Sequence, residues 1–130
     1  ANILYDTILM FKKDSVKALK QTKLHPKGFY CSKRKIGDEI LNWNQTSREV
    51  FNFVRAICTP GPNARAYLNN KEMKINKVEF IEDAPIYKCT IGSILDKELN
   101  SFIVKTKDSF VRVTEFKYNG TIKIGDRFEI

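Results

Sequence analysis

The sequence predicts an α+β, mainly β protein, in which a small antiparallel barrel is preceded by an N-terminal amphipathic helix and a capped connector helix. Three observations support this prediction. Apolar residues recur at helical spacing near the start, a complete helix-capping signal stands at residues 46–49, and short alternating runs follow residue 64. With 130 residues, 42% of them hydrophobic, the chain has the size and composition of one ordinary domain with a core.

Residues 2–22 are predicted to form one amphipathic helix, because their apolar side chains fall on one stripe while the lysines lie mainly elsewhere. The stripe consists of Ile3, Leu4, Ile8, Phe11, Ala18 and Leu19. It needs a partner surface, supplied by the rest of the chain or by polypeptide outside it. The segment 24–28, LHPKG, contains a proline and a glycine that should end the helix. Residues 29–42 are then predicted to be an extended connector with a turn at Gly37.

A second helix is predicted to begin after Thr46 and to end at Thr59. Thr46 and Glu49 have the spacing of a capping box, and Thr59 precedes Pro60, which disfavours helical geometry. One face of this helix is apolar and should belong to the core: Val50, Phe51, Val54, Ile57 and Cys58. Trp43 stands just before the cap, and we expect it to pack across the first turn as in a hydrophobic staple.

Five short strands are predicted after this helix, at residues 65–68, 72–81, 91–95, 102–107 and 110–116. Turn signals such as Asn69-Asn70 separate them. The last run, residues 121–130, could add a sixth strand with a kink at Gly125. Short antiparallel strands in this number suggest a small barrel of the oligonucleotide-binding type, which closes on itself and so avoids bare edges.

The net charge of +8 is concentrated in the first quarter of the chain. Residues 1–35 hold nine Lys or Arg and two Asp, a net +7, which leaves +1 for residues 36–130. Such a segment can attract phosphates or an acidic partner, and it is equally typical of a solvated helix face.

Two groups of basic residues are candidates for nucleic-acid binding. Lys33, Arg34 and Lys35 form a compact cluster beside Phe29 and Tyr30, and these residue types together can pair with phosphates and stack on bases. The alternative interpretation is a solvated connector. Lys71, Lys74 and Lys77 are spaced three apart, so strict alternation along a strand would turn Lys74 away from the other two. The candidate residues are therefore Lys33, Arg34, Lys35, Lys71 and Lys74.

Residue patterns for catalysis or metal binding are scarce. The sequence has no glycine-rich phosphate loop, no nucleophile elbow and only one histidine, His25. Cys31, Cys58 and Cys89 contain no C-x-x-C pair and are too few for a usual zinc site. We therefore expect no catalytic residue, cofactor or metal within this chain, reduced thiols, no membrane segment and a cytoplasmic location.

Several features between Tyr30 and Ala64 occur in a fixed order: a tyrosine, a basic stretch, an acidic segment ending in tryptophan, a helix ending in Arg-Ala, and a Pro-x-Pro-x-Ala exit. They are Tyr30, Lys33-Arg34-Lys35, the segment 38–43, Arg55-Ala56 and the segment 60–64. This order resembles the linker and C-terminal region of the folate-dependent formyltransferases, which include methionyl-tRNA formyltransferases and related sugar N-formyltransferases. The similarity extends over most of residues 29–130.

The resemblance implies a domain organisation. Residues 1–42 would be a helix and basic linker from the end of a catalytic domain, and residues 43–130 a C-terminal barrel domain with its leading helix. The catalytic domain of that family binds 10-formyltetrahydrofolate as formyl donor and carries a His-x-Ser-Leu-Leu-Pro motif, which the surroundings of His25 do not match. The resemblance therefore implies a piece of a longer enzyme that lacks the donor site and is inactive by itself.

The resemblance also implies partners. An accessory domain would pack on its own N-terminal catalytic domain, and in a methionyl-tRNA enzyme the basic cluster would contact phosphates of the tRNA acceptor arm. Two alternatives remain open: the C-terminal domain of an amino-sugar nucleotide N-formyltransferase, and a free-standing basic nucleic-acid-binding module. The acceptor and the oligomeric state are not fixed by these patterns.

Overall fold

The computed structural model describes residues 2–25, 27–28 and 30–129, which belong to two compact units, Ala1–Lys33 and Arg34–Ile130. Pro26, which should help to end the first helix, and Phe29, beside the basic cluster, lie outside the described residues, as does Ile130 at the end of the predicted last strand. Within the described ranges, each helix is too short or too polar to span a lipid bilayer.

The first unit contains helix α1, Asn2–Lys12, and one further turn of helix, α2, Gln21–Leu24. The predicted single helix over residues 2–22 is therefore wrong. Asp14 adopts a left-handed φ of 50°, and the N–H groups of Asp14 and Ser15 donate to the carbonyls of Phe11 and Met10, both at 3.1 Å. This pattern is a Schellman motif, which ends a helix by satisfying its last carbonyls. No residue of α1 is buried, so its apolar stripe is exposed.

The second unit begins with the connector helix α3, Ser47–Ile57. The predicted capping box is confirmed: the Glu49 N–H donates to the Thr46 hydroxyl at 3.3 Å, and the Thr46 N–H donates to the Glu49 carboxylate at 2.8 Å. Val50 and Val54 are fully buried, as the apolar face predicts. Helix α3 is thus stabilised by a capping box at its first turn and by apolar side chains that face the core.

Five antiparallel strands follow: β1 (Ala64–Leu68), β2 (Lys71–Phe80), β3 (Ile94–Lys97), β4 (Phe102–Lys105) and β5 (Phe110–Tyr118). Their order across the sheet is β1-β2-β5-β4-β3. All five predicted strands are present. The predicted turn at Asn69-Asn70 has positive φ at both residues, 51° and 59°, as a tight two-residue hairpin requires. β3 begins later than predicted, because Gly92 turns the chain with a φ of 78°.

The C-terminal segment joins the two outer strands of the sheet. Phe128 forms an isolated bridge with Leu68 of β1, and Arg127 forms another with Ser93, next to β3. The predicted sixth strand is therefore not formed within the described residues 121–129. Instead, this segment makes one single-residue bridge to each of its two neighbours. The predicted kink is present, since Gly125 has a φ of 91°. The bridges occupy backbone groups that would otherwise be bare sheet edge.

The connector before α3 also lies against the sheet. The Leu41 N–H donates to the Arg65 carbonyl at 2.7 Å, and the Arg65 N–H donates to the Glu39 carbonyl at 2.8 Å. Leu41 is buried at 2% exposure. The compact unit consequently begins at Arg34, earlier than Trp43, because residues 39–41 cover the edge of β1 and add to its core.

Trp43 lies at the centre of this core. Its side chain is fully buried, and its ring centroid is 4.9 Å from that of Phe128. Phe128 is also 6.1 Å from Phe102, which in turn makes an edge contact with Phe116 at 4.9 Å. Trp43 therefore links the start of α3 to the C-terminal segment that closes the sheet, a longer-range contact than the expected staple.

Candidate functional site

The basic cluster, Lys33, Arg34 and Lys35, is exposed to solvent. Lys33 ends the first unit, Arg34 and Lys35 begin the second, and all three side chains are exposed. The Lys35 N–H donates to the Asp38 carboxylate at 2.7 Å, and the Asp38 N–H donates back to the Lys35 carbonyl at 3.1 Å. This turn sets Lys35 at the start of the segment that runs beside β1. Tyr30 is fully exposed as well.

A β-bulge changes which lysines of β2 share a face. The register of β2 against β5 shifts between Ile75 and Val78. Met73 and Ile75 are buried before the shift and Val78 after it, so Lys74 and Lys77 are both exposed on the outer face. The expectation that Lys74 and Lys77 face opposite ways is therefore wrong, because the extra residue of a bulge reverses the alternation.

Lys74 borders a cleft of about 320 Å³ between the exit of α3 and the outer face of β2 and β5, which we name the exit cleft. Its lining residues are Thr59, Asn63, Lys74, Asn76, Glu115, Phe116 and Lys117. Lys74 pairs directly with Lys117 across the two strands and with Arg65 on its other side. The sequence analysis missed Lys117, because its position opposite Lys74 depends on a register between distant strands.

Asn76 fixes the floor of the exit cleft. Its side-chain amide donates to the Glu115 carboxylate at 2.6 Å, and its side-chain oxygen accepts the Thr59 N–H at 2.8 Å. Glu115 also lies 3.9 Å from the ammonium of Lys77. On the wall, the Thr59 hydroxyl donates to the side-chain oxygen of Asn63 at 3.4 Å. The bulge in β2 thus anchors the residues that follow α3 and engages the only carboxylate among the cleft's lining residues.

The charged residues of the sheet differ in whether they have partners. Arg65 lies 3.6 Å from Glu39 and 3.2 Å from Glu72, so its charge is offset. Among the described residues, Lys74 and Lys117 form no ion pair within 4 Å. These two lysines are therefore adjacent, exposed positive charges without a carboxylate partner.

Lys71 is separate from Lys74. Its ammonium donates to the Asn119 carbonyl at 3.4 Å, and it lines a second cleft of about 240 Å³ together with Lys123. The two strand lysines among the candidate binding residues, Lys71 and Lys74, therefore line different clefts.

A buried polar cluster joins α3 to the β4–β5 hairpin. One carboxylate oxygen of Asp108 accepts the N–H groups of Ser47 and Ser109, both at 2.8 Å, and the hydroxyls of Ser47 and Thr106 at 3.0 and 3.1 Å. Burial raises the pKa of Asp108, but the hydrogen bonds from Ser47 and Ser109 outweigh it and lower the pKa to about 2. This carboxylate therefore stays ionised and holds the start of α3.

Lys105 is a buried charge close to this cluster. Its ammonium donates to the Thr106 carbonyl at 2.7 Å and lies 4.9 Å from the centroid of the Tyr87 ring. Burial lowers the pKa of Lys105, while Asp108 and Cys89 act in the opposite direction. No local sequence signal separates this lysine from the exposed ones, so sequence analysis could not identify it.

The described residues bring together positive charges and neutral donors, an arrangement suited to holding an anion. No group of three His, Cys, Asp or Glu within the described ranges is close enough to hold a metal ion. Cys31 and Cys89 are exposed and Cys58 is half-buried, all three unpaired, so the thiols are less buried than structural thiols usually are.

Comparison with known proteins identifies one family. The family described as formyl transferase, C-terminal domain, matches residues 34–125. The methionyl-tRNA formyltransferase of Fusobacterium nucleatum is 34% identical over 118 residues, which are 90% of this chain and 37% of that protein. That of Clostridium acetobutylicum is 28% identical over 92% of this chain and 37% of its own length.

Two further similarities are to proteins with other names. The bifunctional polymyxin resistance protein ArnA of Wigglesworthia glossinidia is 32% identical over 68% of this chain and 13% of its own length. The crystal structure of a HypX variant from Aquifex aeolicus aligns with a TM-score of 0.54 and 17% identity, covering 90% of this chain and 20% of that one. The last similarity supports the fold alone. This chain spans little more than a third of the methionyl-tRNA formyltransferases described above.

Proposed function

This chain belongs to the family of formyl transferase C-terminal domains, and from that membership we propose that it is the substrate-positioning domain of a 10-formyltetrahydrofolate-dependent formyltransferase that acts on methionyl-tRNA. The observation that carries the proposal is the family match over residues 34–125, which covers α3 and all five strands. Relatives named methionyl-tRNA formyltransferase favour this acceptor over others.

In this proposal the basic cluster contacts phosphates of the tRNA acceptor arm. Lys33, Arg34 and Lys35 are exposed, adjacent in sequence and fixed at one end by the turn at Asp38. Contacts to phosphates position a nucleic acid without reading its bases. The domain would therefore orient the tRNA and contribute affinity, while recognition of the acceptor end takes place elsewhere in the enzyme.

We assign the chemical step and the formyl donor to a separate N-terminal catalytic domain. The exit cleft offers a poor fit to the donor, because the described buried polar side-chain atoms without a hydrogen-bond partner belong to Trp43, Arg65, Arg112 and Thr114, none of which lines this cleft. The exposed stripe of α1 is the proposed docking face for the catalytic domain. Ile3, Leu4 and Phe11 are 84%, 67% and 63% exposed, and apolar side chains in this number need a partner.

A second candidate function keeps the same family but changes the acceptor to an amino-sugar nucleotide. Similarity to a protein named for polymyxin resistance shows that the domain also occurs outside proteins named for tRNA. The near-neutral charge of residues 36–130, a net +1, favours this candidate. A free-standing basic nucleic-acid-binding module is the third candidate, supported only by the +7 of residues 1–35. The sequence of the complete gene separates it from the other two, since an enzyme requires a preceding catalytic domain.

The test is a formyl-transfer assay on the full-length gene product, with 10-formyltetrahydrofolate and either initiator methionyl-tRNA or an amino-sugar nucleotide. We expect formylation of methionyl-tRNA. The variant Lys33→Ala/Arg34→Ala/Lys35→Ala should raise KM for tRNA with little change in kcat, because the cluster binds the tRNA equally well in the ground state and in the transition state. Formylation of the sugar nucleotide alone would replace the first candidate by the second.

A further inference from the structure

We propose that the exit cleft is a phosphate-binding site, in which Lys74 and Lys117 bind the anion and the side-chain amide of Asn63 supplies neutral hydrogen-bond donors. The anion is a phosphodiester of a polynucleotide or the diphosphate of a nucleotide, which share this chemistry. The inference rests on the proposed function only for the identity of the molecule that carries the phosphate.

Two like charges lie opposite each other in the sheet. Lys74 and Lys117 are direct partners in the β2–β5 ladder, and directly opposite like charges destabilise a sheet. In the same row, Arg65 is offset by two glutamates, whereas the lysine pair has no carboxylate within 4 Å among the described residues. A bound phosphate anion between the two ammonium groups would supply countercharge.

Neutral polar residues form the opposite wall of the cleft. Thr59 and Asn63 line it, and the hydrogen bond from the Thr59 N–H to Asn76 at 2.8 Å fixes this wall against β2. The Thr59 hydroxyl donates to the side-chain oxygen of Asn63 at 3.4 Å, and the side-chain amide N–H groups of Asn63 are donors that can complete the coordination of a phosphate. The cleft therefore combines two cations on one side with a neutral donor group on the other.

Among the described lining residues, the only carboxylate of the cleft already has partners. Glu115 accepts a hydrogen bond from Asn76 at 2.6 Å and lies 3.9 Å from Lys77. Both contacts reduce its repulsion of an anion. The volume of about 320 Å³ lies at the lower end of the range for small-molecule sites, which suits a phosphate group with one attached sugar.

The direct test is titration of the protein with inorganic pyrophosphate, followed by the backbone NMR signals of Thr59 and Asn63. We expect both signals to shift with saturation. The variant Lys74→Ala/Lys117→Ala should weaken binding at least about tenfold, because it removes two charge-assisted partners. Both lysines are exposed, so the variant should fold. The control Lys88→Ala/Lys107→Ala removes the same charge from exposed positions outside the cleft and should bind as the wild type does.

Two further probes identify the source of the phosphate. With an RNA hairpin, loss of both lysines should weaken binding about fivefold at about 0.15 M salt and lower the salt slope by about one, because the two lysines hold one phosphate and each phosphate contact releases roughly 0.9 counterions. If the double variant loses affinity for uridine diphosphate but not for the RNA hairpin, the cleft binds a nucleotide. If the double variant binds pyrophosphate, RNA and uridine diphosphate as tightly as the wild type, the site does not exist.

These outcomes are separable from those of the proposed function. Should the cleft variant match the wild type while the Lys33–Lys35 variant loses RNA, the inference fails and the proposed function stands. Should pyrophosphate bind the cleft while the full-length protein transfers no formyl group to either acceptor, the proposed function fails and the site stands.

Discussion

The Asp108 carboxylate should make the free energy of unfolding of the second unit depend on pH in the acidic range. The perturbation is Asp108→Asn, which keeps an acceptor oxygen for Ser47 and Ser109 but removes the charge and its titration. In the wild type, the pKa of Asp108 is lowered from its ordinary value of 3.8 to about 2 by the hydrogen bonds from these two residues, against the opposing effect of burial. The charged form is therefore favoured in the folded state.

The sign and size of the effect follow from linkage. A lowered folded-state pKa contributes stability that is fully present above the ordinary value of 3.8 and is lost as the pH falls through about 2. The difference between the two values corresponds to roughly 2 kcal/mol at 1.36 kcal/mol per pH unit. Since Asp108 is only partly buried, solvent screening reduces this, and we expect about 1 to 2 kcal/mol.

The assay is urea unfolding of wild type and Asp108→Asn at several pH values from 7 to about 2. The stability advantage of the wild type should shrink by about 1 to 2 kcal/mol between pH 5 and pH 2, because only the wild type loses this carboxylate. Asp83→Asn removes one carboxylate from an exposed loop and controls for the change in net charge. Parallel stability curves for wild type and Asp108→Asn over this pH range would refute the role of Asp108.

Two other stability predictions concern the cap and the closing segment. Thr46→Ala should lower the free energy of unfolding by about 1 kcal/mol, because it removes one half of the capping box, and thermal denaturation measures it. An unchanged melting temperature would contradict the role of the cap. Phe128→Ala should cost about 3 to 5 kcal/mol, because Phe128 is 1% exposed and contacts the rings of Trp43 and Phe102. Urea unfolding measures this loss, and one below 1 kcal/mol would show that the C-terminal segment does not close the core.

The connector helix is predictable from sequence because its signals are local. Thr46 and Glu49 are three residues apart, the apolar stripe repeats at three and four, and Pro60 follows the end. The five strands are predictable for a similar reason, since alternation and turn residues mark them. The end of α1 is different. It depends on the left-handed conformation of Asp14, which aspartate adopts less often than glycine or asparagine. Because no glycine or asparagine marks this end, the apolar stripe that continues beyond Asp14 predicted a longer helix.

Features that depend on distant pairing could not be predicted. The exit cleft requires the bulge in β2 and the register that sets Lys117 opposite Lys74, which no local pattern reveals. The contact between Trp43 and Phe128 spans most of the second unit. Of the candidate binding residues, Lys74 lies at the exit cleft, and the spacing of the lysines predicted the wrong relation between Lys74 and Lys77.

The measurement that tests the central claim most directly is the affinity of this protein for initiator tRNA over a range of salt concentrations. We expect the plot of log affinity against log salt to be shallower by about three for Lys33→Ala/Arg34→Ala/Lys35→Ala than for the wild type, because three phosphate contacts are lost. An affinity and a slope that the triple substitution leaves unchanged would contradict the claim that this domain holds and orients a tRNA.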